Sequence, residues 1–209
     1  SEFEWPVMAE LFQYGSAIES GSAYSRMLAA AKSGRFRRYA RHLEFASIAT
    51  RLQDCFGTIG EPISLCTACA SGSTAVQMGV EAIRRGEADR ALCVATDATV
   101  HPEGLVRFSL LSALSTRNDP PAAASRPFAR DRDGFVMAEG AGALVLERLS
   151  SALARGAEVV GVVRGCGEKA DDYHRTRSKP DGTAMIGAIS GALSDAGIEA
   201  VDYVNAHGT

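Results

Sequence analysis

The stretch that decides the fold runs from residue 63 to residue 95 and reads ISLCTACASGSTAVQMGVEAIRRGEADRALCVA. It opens on a short apolar run, and Ala91–Ala95 is a second one, continuous as in a strand that is buried on both faces. Between them, small and apolar residues recur at helical spacing, and Gly86 marks a C-terminal stop. The pattern predicts a strand, a helix and a parallel strand, which together make a βαβ unit.

A second unit of this kind is predicted farther along the chain. Residues 159–164 and 203–206 predict strands, and residues 182–196 between them predict a helix that ends at Gly197. Two such units in one chain indicate an α/β protein whose buried strands are mostly parallel.

Other parts of the chain give weaker patterns. Residues 134–149 are rich in glycine and predict two short strands around a tight turn at Gly140 and Gly142. We interpret these glycines as turn residues rather than as a phosphate-binding loop, because a predicted strand lies on each side of them. Further helices are predicted over residues 8–31, 44–56, 104–114 and 150–156.

The composition is that of an ordinary globular protein. Of 209 residues, 46% are hydrophobic and 22% are charged, which excludes disorder, collagen and a disulfide scaffold. The net charge of −3 gives no overall positive field to attract nucleic acid. No run of about 18 apolar residues is present, and the acidic first residues do not resemble a signal peptide. We therefore expect a cytoplasmic protein that binds neither nucleic acid nor a membrane.

The five cysteines are odd in number and irregular in spacing, which predicts reduced thiols rather than disulfides. Cys66 and Cys69 form a C-x-x-C motif, but a zinc ribbon would need a second pair, and the four histidines have no ligand spacing. We therefore expect no metal site. A thioredoxin-like redox pair is the weaker alternative for this motif.

Cys69 is a candidate nucleophile because it lies where the first predicted strand turns into the helix. The N–H groups and the dipole at a helix start favour an anion there, so we expect the thiolate to be stabilised. Small neighbours, Ala70 and Gly72, leave the approach open. The arrangement is typical of a nucleophile elbow with sulfur in place of oxygen. A buried, unreactive cysteine is the alternative for this residue taken alone.

His207 is the second candidate, in the stretch YVNAHGT at residues 203–209. Ligands of open α/β sheets bind at the C-terminal ends of strands, where a histidine next to glycine can reach a substrate. A capping or core histidine is the alternative. Because His207 is far from Cys69 in the sequence, only the fold can bring the two side chains together.

Several motifs occur in the order that one enzyme family shows. They are TACASG at 67–72, ALSTRND at 113–119, RPF with RDGFVMAEGAGALVLE within 126–147, DYH at 172–174 and YVNAHGT at 203–209. With these motifs the chain closely resembles the β-ketoacyl-[acyl-carrier-protein] synthases of the discrete, elongating type. The resemblance implies a thiolase-like α/β fold, layered α/β/α/β/α with mostly parallel buried sheets, of which this chain is a central portion. Residues 1–156 would be the later part of the N-terminal ketosynthase half, and residues 157–209 the start of the C-terminal half.

The resemblance also implies roles for single residues. Cys69 would be the nucleophile that accepts an acyl chain, and its backbone N–H would form part of the oxyanion hole. His207 would assist the decarboxylation of a malonyl thioester and stabilise the enolate. Phe108 would line the acyl pocket. The implied reaction is a decarboxylative Claisen condensation between the acyl-cysteine and malonyl-carrier protein, in fatty acid or polyketide biosynthesis. No bound cofactor is implied, because the phosphopantetheine of a carrier protein delivers the acyl groups.

Two kinds of partner follow from the resemblance. Arg35, Arg37 and Arg38 belong to a basic stretch that would dock the acidic helix of an acyl carrier protein, and a solvated loop is the alternative. The predicted strand at residues 63–66 would pair with its two-fold mate in a homodimer.

Two other functions stay open at this point. A non-catalytic, chain-length-factor-like subunit of a ketosynthase heterodimer is one, and the presence of Cys69 argues against it. A thiolase acting on coenzyme A thioesters is the other, and RDGFVMAEGAG argues against it. The 209 residues do not contain the family's lysine, second histidine or glycine-rich closing loop. We therefore expect this portion to be inactive in condensation by itself.

Overall fold

The computed structural model of the protein describes residues 5–174 and 177–207. These residues form helices, two strands and three single turns of 3-10 helix. In chain order, the helices and strands are α1 (Trp5–Ile18), α2 (Ala23–Lys32), α3 (Ala40–Leu43), α4 (Ser47–Phe56), α5 (Ser71–Arg84), β1 (Arg90–Asp97), α6 (Pro102–Leu110), β2 (Gly140–Glu147), α7 (Leu149–Ala154) and α8 (Thr183–Ala196). None of the described helices has the length and the apolar character that crossing a membrane would require.

Short local signals set the ends of several helices. The Ser22 hydroxyl accepts a hydrogen bond from the Ser25 N–H at 3.1 Å and caps the start of α2. His101 Nδ1 caps α6 in the same way. The end of α8 is followed by Gly197, whose φ of +65° is a left-handed conformation that glycine adopts at little cost. The predicted helix over 182–196 and its stop at Gly197 are therefore confirmed.

The chain divides into two compact units, of which the first comprises Ser1–Leu65 and Thr99–Thr116. In its described part, α1 packs beside α2 around a small core of Leu11, Ala30 and Phe36. The ring of Tyr14 meets the Phe36 ring edge-on, with centroids 5.9 Å apart. Since Phe36 lies between Arg35 and Arg37, this core anchors the basic stretch.

The second unit comprises Cys66–Ala98 and Arg117–Thr209, and it is built on an antiparallel pair of strands. The register runs from Arg90 opposite Glu147 to Asp97 opposite Gly140. Helix α5 packs on this pair, and at Gly79 a Cβ atom would lie 2.6 Å from the Cys93 sulfur. Glycine at this position therefore lets the helix approach the sheet.

One extended segment, residues 164–168, is held by α5 and by α8. A Cβ on Gly165 or Gly167 would lie 2.4 Å or 2.1 Å from a carbonyl oxygen of α8, so glycine permits this close contact. From α5, Arg84 donates to both carboxylate oxygens of Asp195, at 3.0 and 2.8 Å, and to the Arg164 carbonyl at 2.9 Å. The hydrogen bonds from Arg84 hold the pKa of the Asp195 carboxyl below its ordinary value.

The structure corrects part of the predicted strand pattern. Among the described residues, stretches 63–66, 159–164 and 203–206 form no strand, and the sheet that is present is antiparallel rather than parallel. Their apolar side chains are largely exposed, as at Val160 (99%) and Tyr203 (81%). An apolar run indicates a preference for burial, whereas a strand also needs a hydrogen-bonded neighbour, which these stretches do not have in the described residues.

Two further details differ from prediction. Gly140 and Gly142 lie inside the single strand β2 rather than in a turn between two strands, because they pair with Asp97 and Ala95 of β1. The helical stretch over 8–31 is broken into α1 and α2. The strand predicted at 91–95 and the helices predicted at 44–56 and 104–114 are confirmed as β1, α4 and α6, with shifted ends.

Candidate active site

Cys69 lies in a single turn of 3-10 helix, Ala68–Ala70, that leads directly into α5. The Ser71 hydroxyl accepts a hydrogen bond from the Thr67 N–H at 2.9 Å and donates one to the Ala68 carbonyl at 2.7 Å. Ala68 has a φ of +53°, in the left-handed region that residues other than glycine seldom adopt. These two hydrogen bonds of the Ser71 hydroxyl, one accepted and one donated, hold this strained backbone, and such strain is common at functional sites.

The surroundings of the five thiols separate Cys69 from two of the others. Cys93 is buried and Cys166 is half-buried, and in each case burial raises the pKa of the thiol. Cys55, Cys66 and Cys69 are exposed. Of these three, Cys69 alone lies in the turn that leads into the fourteen-residue helix α5. The position of Cys69 is therefore that expected of a nucleophile at a helix start.

Gly72 has a structural role that the sequence did not indicate. A Cβ on this residue would lie 3.1 Å from the Cβ of Ala95, so the first turn of α5 sits directly on β1. The absence of a side chain at Gly72 thus brings the Cys69 turn close to the sheet.

Sequence reasoning missed three polar residues at this turn. The hydroxyl oxygens of Thr67 and Thr74 are 2.9 Å apart, and the Thr74 hydroxyl donates to the Glu168 carboxylate at 3.4 Å. Thr67 is the first residue of the TACASG motif and Thr74 lies two residues after it, so their presence was visible in the sequence. Nothing in the sequence linked them to Glu168, because the contact depends on how segment 164–168 packs.

His207 is exposed and lies in the same compact unit as Cys69. It follows residues 203–206, which form no strand in the described part of the chain. The role predicted for His207 stays a prediction.

Phe108 lies in the first compact unit, on α6, and is half-buried. An open apolar hollow of about 390 Å³ runs along this helix, lined by Leu105, Val106, Ser109, Leu110 and Leu114. Phe108 is not among the residues that line the hollow. Its role in an acyl pocket therefore stays a prediction.

The three arginines of the basic stretch also lie in the first unit. Arg35 and Arg38 share Glu10, with closest approaches of 3.4 and 3.7 Å. Each also stacks on an aromatic ring, Arg35 on Tyr14 at 5.0 Å and Arg38 on Tyr39 at 4.7 Å. Arg37 is exposed at the start of a 3-10 turn. The structure thus holds two of these cations in internal contacts and leaves their side chains more than half exposed.

Within residues 5–174 and 177–207, no three or more His, Cys, Asp and Glu side chains are grouped as metal ligands would be.

Comparison with known proteins defines the class. The family model described as "Beta-ketoacyl synthase, N-terminal domain" matches residues 13–152, and "Beta-ketoacyl synthase, C-terminal domain" matches residues 160–209. The chain therefore belongs to the β-ketoacyl synthase family, and its fold is that of the α/β, thiolase-like ketosynthases.

Individual relatives agree with this assignment. The chain is 48% identical over 145 residues to "3-oxoacyl-[acyl-carrier-protein] synthase 2" of Synechocystis sp., covering 68% of this chain and 35% of the relative. It is 46% identical over 155 residues to the "Tetracenomycin polyketide synthase ketoacyl synthase alpha subunit" of Streptomyces glaucescens, covering 73% of this chain and 36% of that protein. The chain thus spans about a third of the length of these curated relatives.

Solved structures show the same similarity. One is a type II PKS acyl-carrier protein in complex with its ketosynthase bound to the hexaketide, with a TM-score of 0.76 and 38% identity over 79% of this chain and 41% of that chain. Another is a β-ketoacyl synthase from Burkholderia phymatum STM815, with a TM-score of 0.73 and 36% identity over 78% of this chain and 40% of that one.

Proposed function

We propose that this chain is the nucleophile-bearing portion of a β-ketoacyl-carrier-protein synthase, an acyltransferase of fatty acid or polyketide biosynthesis. The observation that carries the proposal is the exposed Cys69 in a strained turn at the start of α5, in a chain that matches both domains of the family. Relatives named as 3-oxoacyl-[acyl-carrier-protein] synthases and a polyketide ketoacyl synthase support it.

In the first half-reaction, the Cys69 thiolate attacks the carbonyl carbon of an acyl thioester on a carrier protein. A carbon–sulfur bond to Cys69 forms, the bond to the phosphopantetheine sulfur breaks, and the carrier leaves as a thiolate that takes up a proton from water. The backbone N–H of Cys69 donates to the developing oxyanion. The strained turn keeps this N–H and the sulfur on one short, fixed piece of backbone.

In the second half-reaction, malonyl-carrier protein loses CO₂ and leaves an enolate, whose oxygen accepts a hydrogen bond from His207. The enolate carbon attacks the acyl carbon on Cys69. The new carbon–carbon bond replaces the carbon–sulfur bond, so the 3-oxoacyl product stays on the carrier and Cys69 departs as a thiolate. The reaction uses no bound cofactor. Phe108 would line the pocket for the acyl chain.

The proposed partner is an acyl carrier protein that docks at Arg35, Arg37 and Arg38. A solved relative is itself an acyl-carrier protein in complex with its ketosynthase, which supports this choice. All three arginines are exposed, but Arg35 and Arg38 share Glu10, so Arg37 is the member that we propose offers its charge to an acidic helix. We also propose a homodimer and a location in the cytoplasm, where the five thiols stay reduced.

A non-catalytic partner subunit is less well supported than an enzyme. Cys69 is present, and the relatives with the names quoted above are synthases.

The test uses the full-length natural protein with an acyl-carrier protein and malonyl-carrier protein, and it follows the 3-oxoacyl product by mass spectrometry. We expect product from the wild-type protein and none above background from Cys69→Ala. Cys66→Ala is the matched control, because Cys66 is also exposed and lies three residues away. Equal product from Cys69→Ala and the wild-type protein would overturn the proposal.

A further inference from the structure

We infer that Glu168 is a positioning residue for Cys69, and that it acts through the hydroxyl groups of Thr74 and Thr67. The inference rests on the proposed function of Cys69 as the nucleophile. It concerns a side chain that lies in the C-terminal family match, whereas Cys69 and both threonines lie in the N-terminal match.

The direction of the hydrogen bonds follows from the chemistry of the three groups. An ionised carboxylate only accepts, so Thr74 donates to Glu168 over the distance of 3.4 Å. The Thr74 proton is then engaged, so across the 2.9 Å between the two hydroxyl oxygens it is Thr67 that donates. The result is a chain of donors that runs from Thr67 through Thr74 to Glu168.

This chain fixes the residue from which the Cys69 turn begins. The N–H of Thr67 is bonded to the Ser71 hydroxyl, and its own hydroxyl is bonded to Thr74, so both sides of Thr67 are anchored to α5. Cys69 follows two residues later, after the left-handed Ala68. Rotation at Thr67 would release that strained backbone and turn the N–H of Cys69 away from an oxyanion.

Glu168 is a firm anchor because the segment that carries it is held on two sides. Gly165 and Gly167 press against α8, and the Cys166 N–H donates to Asp195 at 2.9 Å. Asp195 in turn binds Arg84 at the far end of α5. Segment 164–168 therefore contacts α5 near both of its ends, through Thr74 and through Arg84.

The consequence is specific to acyl transfer. Attack on a thioester needs the Cys69 N–H aimed at the oxyanion, whereas alkylation of the thiol by iodoacetamide needs only an accessible sulfur. We therefore expect Glu168→Ala to slow acylation of Cys69 by about two- to tenfold, the range of one hydrogen bond. Alkylation should change much less. A general loss of folding would lower acylation and also raise alkylation of the buried Cys93. Alkylation of Cys93 therefore distinguishes unfolding from a loss of positioning at Cys69.

The experiment measures both rates at Cys69 in the full-length natural protein, by peptide mass spectrometry, with a short acyl-N-acetylcysteamine thioester and with iodoacetamide. Glu168→Gln keeps an acceptor oxygen and Thr74→Ser keeps the hydroxyl, so both should restore acylation. Thr74→Val removes the link, so Glu168→Ala should add no further loss in that background. Glu199→Ala, at another exposed glutamate of the same unit, is the control.

The outcomes are distinguishable. If wild-type Cys69 accepts no acyl group, both the proposed function and this inference are overturned. If wild-type Cys69 is acylated and Glu168→Ala is acylated equally fast, the inference is wrong and the function stands. A loss with Glu168→Ala that Glu168→Gln does not restore also overturns the inference.

Discussion

The Cys69 turn and the segment that ends at His207 lie in one compact unit, yet they are determined in different ways. The turn is closed by one hydrogen bond that the Ser71 hydroxyl accepts and one that it donates, and it leads into a long helix that packs on β1. Within the part of the chain that the structure describes, residues 203–206 form no strand, and their side chains are exposed, as at Tyr203 (81%) and Val204 (69%). The conformation of the first region is fixed by residues close to it in the sequence. The conformation of the second would depend on contacts with residues that no local sequence pattern identifies.

The largest effect on reaction rate is expected from a substitution at His207, in the second of these two regions. In the proposed mechanism His207 donates to the enolate oxygen, so His207→Ala would remove that donor, and loss of one such donor costs roughly 10²–10³ in rate. Malonyl decarboxylation and condensation by the full-length natural protein should fall by that factor, while acylation of Cys69 should stay at the wild-type rate. Radiolabelled CO₂ release and intact-protein mass spectrometry measure the two steps separately.

His42→Ala, at an exposed histidine of the other compact unit, is the control and should change neither step. Slower acylation together with unchanged decarboxylation in His207→Ala would contradict the assignment of acylation to the Cys69 turn and of decarboxylation to His207.

Ser71→Ala tests whether the turn is specified locally. The substitution removes one acceptor and one donor that close the backbone around Cys69, so acylation should fall by about tenfold. Acylation time courses with a short thioester, quenched at intervals, give the rate of acylation of Cys69. Ser73→Ala, at an exposed serine on the same helix, should leave it unchanged. Equal rates for Ser71→Ala and Ser73→Ala would show that the turn is held by something other than Ser71.

The contrast between the two regions also explains which structural features could be predicted from the sequence and which could not. The position of Cys69 at a helix start, the helix α5 itself and strand β1 were all predicted, because their signals lie within about thirty residues and obey local rules. The pairing of β1 with β2 was missed, since the glycines of β2 suggested a turn and no local rule selects a distant strand. The contact of Glu168 with Thr74 was missed for the same reason.

A smaller effect, on stability, is expected at Glu147, at the end of β2 that pairs with Arg90. Its side chain is 5% exposed and accepts hydrogen bonds from Arg155, Ser151 and Arg90, at 2.7, 2.8 and 3.0 Å. These bonds, Arg155 foremost, lower the pKa of the carboxyl from its ordinary value of 4.5 to about 2. A lowered pKa means that this stabilisation is present above pH 4.5 and is lost as the pH falls towards 2.

Glu147→Gln should therefore lower the melting temperature at neutral pH, and the difference from the wild-type protein should shrink as the pH falls through that window. Thermal unfolding followed by circular dichroism across pH measures this. Glu158→Gln, at an exposed glutamate, is the control and should match the wild-type protein. A difference between Glu147→Gln and wild type that grows on acidification would contradict the assignment.

The smallest effect is expected at the basic stretch. Arg37→Glu reverses an exposed charge, so the KM for the acyl-carrier substrate should rise by about threefold at low salt, with kcat unchanged. The rise should vanish at high ionic strength. Arg51→Glu, an exposed charge reversal in the same unit, is the control. Equal changes in KM for the two variants would indicate a general charge effect and not docking at Arg37.

The central claim is that Cys69 is the reactive thiol, and one labelling experiment tests it directly. The folded protein is treated with iodoacetamide in less than molar equivalence to thiol, and the label at each cysteine is measured by peptide mass spectrometry. The account predicts that Cys69 takes most of the label, ahead of Cys66 and Cys55, which are also exposed to solvent. Preferential labelling of Cys55, Cys66, Cys93 or Cys166 would contradict it.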